Sequence, residues 1–203
     1  MKLFKNIKKW LENQEYLFYL FLLILIVPNI ILCFTEPMPV VAKVCNVLLP
    51  FAFYYLLMTL SRNCGKMFWI LFLFIFFGAF QIVLLYLFGQ SIIAVDMFLN
   101  LVTTNSSEAM ELLDNLVPAL VSVIILYIPA LILAAISIIK KRKLSPEFIR
   151  RERKKAWITL LIGFISLGAA YGLDKRYELK SDLYPANVCY NVALAFQRNA
   201  QTR

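Results

Sequence analysis

The chain has 203 residues, of which 62% are hydrophobic and 16% charged, with a net charge of +9 and no histidine. A soluble domain of this length cannot bury so much apolar surface, so the composition excludes an ordinary globular protein and points to an integral membrane one. Without histidine there is no self-contained zinc site of the usual kind and no serine–histidine nucleophile.

Residues 1–15 are basic and amphipathic. Leu3, Phe4, Ile7, Trp10 and Leu11 share one side, with Lys2, Lys5, Lys8 and Lys9 around them. No small-residue cleavage site follows, so this stretch reads as an interfacial lead-in to an uncleaved first span. Apolar runs then predict five transmembrane helices, at about 16–34, 40–60, 67–88, 116–139 and 156–171, close to the ~20 residues that cross the hydrocarbon core. Strand-type alternation is absent, against an outer-membrane barrel. Pro28, Pro50, Pro118 and Pro129 fall in or at the start of spans, and each removes a backbone donor. The third span is aromatic (Phe68, Trp69, Phe72, Phe74, Phe76, Phe77, Phe80), which lipid-facing packing explains without a cofactor. Residues 140–155 read as a dense basic loop. No charge lies deep inside a span and no internal repeat is present, against a channel or transporter. Cys33 and Cys45 flank the turn Thr35–Pro39. They are placed either to pair in an oxidising space or to serve as small buried apolar residues.

Of the 21 Lys and Arg, fifteen fall in 2–15, 61–66 and 140–155. Cytoplasmic loops carry this excess, which puts the N-terminus inside and the C-terminus outside after five spans. The same placement at span ends excludes nucleic acid as a partner, because no basic soluble face remains to bind it. The segment 90–115 carries no Lys or Arg and is predicted to lie outside the membrane, as an amphipathic helical segment between helices three and four. Within it Ile92, Ile93, Phe98 and Leu99 turn toward lipid. Asn105 reads as an N-cap, with Glu108 as its reciprocal carboxylate. Asn105-Ser-Ser107 also matches a glycosylation sequon. Asn100, Thr104 and Glu108 recur at helical spacing. A carboxylate beside a hydroxyl and an amide suits an ammonium headgroup such as ethanolamine. A purely structural cap is the competing reading.

The string Asn100-xxx-Thr104-xxx-Glu108-Ala109, the five-span plan and the tail string Tyr184-Pro-Ala-Asn187 together resemble one family. It is the membrane domain of bacterial phosphoethanolamine transferases, the lipid A-modifying and polymyxin-resistance enzymes of the sulfatase-fold superfamily. The resemblance implies that Asn100, Thr104 and Glu108 hold the headgroup, with phosphatidylethanolamine as donor and a lipid A-like glycolipid as acceptor. It also implies an inner-membrane protein with its C-terminus in the periplasm. In that family a threonine nucleophile and zinc belong to a periplasmic domain. This chain is therefore expected to carry no catalytic and no metal-binding residues of its own and to be inactive alone. Residues 1–172 form the membrane domain in this reading. Residues 173–203 form a linker with an amphipathic helix (Val188, Val192, Phe196) toward that domain. Two alternatives stay open: the membrane domain of a lipoteichoic acid synthase-like phosphoglycerol transferase, and a non-enzymatic membrane scaffold. A glycerol headgroup offers no cation for Glu108, which favours ethanolamine.

Overall fold

A computed structural model of the chain describes residues 1–35, 37–88, 106–173 and, in the tail, Tyr190, Ala193, Leu194, 196–198 and Ala200. All regular structure among these residues is helical: α1 Lys2–Glu12, α2 Gln14–Thr35, α3 Val40–Met58, α4 Cys64–Ile70, α5 Phe72–Phe88, α6 Ser106–Ile139 and α7 Pro146–Leu173. Four described helices are long and apolar enough to cross a membrane: α2, α3, α7 and the Val117–Ile139 part of α6. Their surfaces agree with a lipid setting. Val121, Ile124, Ile125, Ile128 and Ile132 of α6 and Ile158, Leu161, Phe164 and Ile165 of α7 are all exposed. Water does not tolerate apolar stripes of that length, whereas a helix apolar all round is what a bilayer selects.

Helix α2 is the hub. It packs against α3 on one side and against α4 and α5 on the other. The two outer helices are then carried separately, α7 almost wholly by α3 and α6 by α4 and α5. Aromatic rings fill the centre: Phe21 stacks on Phe68 at 4.6 Å, and Tyr54 meets Phe74 edge-on at 5.9 Å. Phe68 is thus core, not lipid-facing, while Trp69, Phe72 and Phe76 are exposed as the sequence suggests. Small residues let backbones approach at both outer contacts. Gly65 of α4 lies so close to the Ala134 carbonyl of α6 that a Cβ would collide with it. A Cβ on Gly163 of α7 would sit 3.2 Å from the Leu49 Cα of α3.

The structure departs from the sequence reading in three places. The third segment, expected as one span over 67–88, is two helices divided at Leu71, whose ψ of 12° lies well off the helical value. Bonds from Leu71 N to Met67 O and from Ile75 N to Leu71 O bridge the break, so it is a bend and not a stop. The basic stretch 140–155 is a loop only as far as Ser145. Pro146 opens α7, where its missing N–H costs nothing, and the Phe148 N–H donates to Ser145 Oγ at 3.2 Å as an N-cap bond. Finally, 106–115 does not stand apart from the fourth span but continues it. The 34 residues of α6 form one helix, about 51 Å long and so well beyond a ~30 Å hydrocarbon core.

Buried proline sites are repaired from neighbouring helices. Pro50 removes the N–H that the Asn46 carbonyl would have accepted, and Asn29 Nδ2 of α2 donates to that carbonyl instead, at 3.0 Å. This explains an asparagine only 1% exposed in the apolar centre of the bundle. Cys33 and Cys45 are not joined in a disulfide, and Cys33 Sγ donates to the Lys43 carbonyl.

Candidate functional site

Asn100 and Thr104, the first two expected headgroup residues, lie outside the described residues, as does Asn105. Glu108 is placed along the chain, as the third residue of α6, but its side chain is not among those described. The tail string 184–187 likewise lies outside them. The described functional chemistry is gathered at the opposite end of α6.

At that end four elements meet: the start of α2, the α3–α4 link, the α6–α7 loop and the start of α7. The two links are zipped together. Leu144 N–H donates to the Arg62 carbonyl at 2.7 Å, and Arg62 Nε returns a bond to the Leu144 carbonyl at 2.8 Å. Helix α6 ends in a Schellman motif, with Arg142 N–H donating to Ser137 O and Lys141 N–H to Ile138 O. The left-handed position of that motif, usually glycine, is Lys141 with φ 50°. Asn63 caps α4 by accepting from Lys66 N–H at 3.0 Å, and its Nδ2 donates to Ser137 O at 3.2 Å. Ser137 Oγ in turn donates to Gln14 Oε1 at 2.6 Å, tying α6 to the first residue of α2.

Beside this knot lies the one buried carboxylate among the described residues. Glu152 is fully buried, although it belongs to the run Arg-Arg-Glu-Arg-Lys-Lys155. Tyr55 Oη of α3 donates to Glu152 Oε2. Arg151 Nε and Lys155 Nζ approach Oε1 at 3.3 and 3.4 Å, and their side chains are largely exposed. Arg153 reaches across to the Thr59 carbonyl at the end of α3, at 2.8 Å. Phe18, Tyr19 and Phe148 wall the site with edge-on contacts, and the Arg151 guanidinium sits 5.3 Å over the Phe148 ring. Apolar walls exclude water on one side while two cations hold the other, so the arrangement fixes a carboxylate at a helix junction. It ties α7 to α3 beside the buried Phe148, Ile149 and Ala156.

Glu152 was readable in part. Phe148, Glu152 and Ala156 fall at i, i+4 and i+8, the buried face of a helix that starts at Pro146. Reading 140–155 as a loop hides that register. Among the described residues there is no group of three or more metal-ligand side chains. Comparison with family models, with curated proteins and with solved structures returns no match to this chain.

Proposed function

We propose that this chain is the membrane-anchoring and lipid-docking domain of a phosphoethanolamine transferase of the bacterial inner membrane. It would take phosphatidylethanolamine as donor toward a lipid A-like acceptor. The observation that carries the reading is the string Asn100-xxx-Thr104-xxx-Glu108-Ala109, placed ahead of and into the start of α6. Glu108 supplies the charge for the ammonium, and Asn100 and Thr104 supply neutral hydrogen bonds to the rest of the headgroup. The nucleophile and zinc belong, in this reading, to a periplasmic catalytic domain.

The same reading makes α4 and α5 together the third of five spans. Helices α3 and α6 both end at the zipped links, and α6 runs the height of the bundle to reach them. In this reading the chain climbs between residues 59 and 106, where the helices among the described residues are the 7 residues of α4 and the 17 of α5. The basic end faces the cytoplasm and the start of α6 faces outward. A phosphatase reporter fused after residue 105 is expected to be active, and one fused in the 140–145 loop inactive. A silent reporter at 105 would remove α4 and α5 as a span.

The docking role is tested by native mass spectrometry of the purified chain with phosphatidylethanolamine. Retention is expected to fall several-fold in Glu108→Gln and Asn100→Ala, with folding unchanged. Equal retention in wild type and both variants would sink the headgroup assignment.

A further inference from the structure

The zipped links border an open pocket of about 480 Å³, of the size that holds small-molecule ligands. Four cations line it, Arg62, Lys66, Lys141 and Lys143, and no acidic residue does. Among the described residues some neighbouring cations are paired and others, such as Lys140 and Lys154, are not. Arg142 pairs with Glu12, and Arg151 and Lys155 pair with Glu152. None of the four cavity cations forms an ion pair among the described residues. Two further features argue for a ligand over a merely solvated basic face. The wall also contains Leu60, 63% exposed, and Ile138, 37% exposed, so charge and lipid-accessible apolar surface adjoin. And Lys141 is held in a backbone region where glycine is the cheap choice, a strain more often seen where a side chain is needed in place.

We propose that this cavity binds the phosphate of an anionic phospholipid, with the lysines and Arg62 around the headgroup and the first methylenes of the chains against Leu60 and Ile138. Basic pockets between membrane helices on the cytoplasmic side bind lipid headgroups in this way. The site lies at the opposite end of α6 from Glu108, takes net negative lipid in place of a zwitterionic donor, and stands whether or not the transferase reading does. Phosphate is the shared chemistry of lipid and free anion. The apolar wall selects the lipid.

The test compares the purified full chain with phosphatidylglycerol, phosphatidylcholine or inorganic phosphate, reading retention by native mass spectrometry and the rise in Tm. Phosphatidylglycerol is expected to be retained and to raise Tm, phosphatidylcholine and inorganic phosphate much less. Each lysine removed should weaken retention about fivefold, so Lys66→Gln with Lys143→Gln should lose about 25-fold. Lys141→Gly should also weaken retention while leaving Tm in neutral detergent equal or higher, which a folding defect would not do. The control Lys2→Gln with Lys5→Gln, on exposed α1, should retain the lipid as wild type does. The proposal is overturned if that control loses as much as the cavity variant, or if phosphatidylcholine or inorganic phosphate matches phosphatidylglycerol.

Discussion

The basic end of the bundle and its apolar centre solve the same problem, a polar group away from bulk water, by different means. At the basic end several groups share each duty: Glu152 has Tyr55, Arg151 and Lys155, and Ser137 serves both Asn63 and Gln14. At Pro50, a defect in α3 is met by the Asn29 amide of α2. When Glu152 is lost the exposed cations can rehydrate but the buried Tyr55 hydroxyl cannot, so the cost there falls on the tyrosine. Polar contacts between membrane helices are individually modest, so losing the Asn29 bond costs less. The two regions should therefore answer substitution differently.

The largest effect is expected where neither remedy applies and backbones touch. Gly65→Ala drives a methyl into the Ala134 carbonyl and should cost about 2–3 kcal/mol even after the gain in helix propensity. Gly163→Ala, facing Leu49 with a few tenths of an ångström to recover, should cost less than half as much. Denaturation in mixed micelles ranks the two, and a reversed order would mean that α7, not α6, is the tighter seam. Next, Glu152→Ala strands the buried Tyr55 hydroxyl and should cost about 2 kcal/mol, whereas Glu152→Gln keeps an acceptor and should cost about 1. Equal costs would show that charge, not the tyrosine bond, holds α7.

Asn29→Leu should cost about 1 kcal/mol, since polar contacts within membranes average less than their gross strength. The comparison sharpens in a double-mutant cycle. In a Pro50→Ala background the Asn46 carbonyl regains its helical donor, and Asn29→Leu should become nearly neutral. An unchanged cost there would mean that Asn29 acts on something other than the proline defect. The smallest effect is Lys141→Gly, a gain of about 0.5–1 kcal/mol from releasing the left-handed strain, read as a higher Tm in neutral detergent.

Much of this was legible in the residues. Apolar runs of near-spanning length are a one-dimensional signal, because lipid demands that every backbone group be satisfied within its own helix. That is why the first two spans and the core of the fourth fall almost where the sequence puts them. What runs and charge counts do not carry is depth and register. Glu152 looks like one more solvated charge until Ser145 and Pro146 start the helix early and rotate it inward. The bend at Leu71 has no local cue, since neither glycine nor proline marks it.

The sequence by itself determined that the protein lives in a membrane and which end of its helices is basic. It also puts Asn100, Thr104 and Glu108 in a stretch, 90–115, that carries no Lys or Arg. These are consequences of transfer free energy and charge, which act residue by residue. Only the tertiary structure decided which polar residues are buried and what they answer to. Asn29 answers to the Asn46 carbonyl, 17 positions away and freed by Pro50, and four cations from the two links and the start of α4 come to line one pocket. Such pairings depend on which helices pack side by side, and no single stretch of chain carries that.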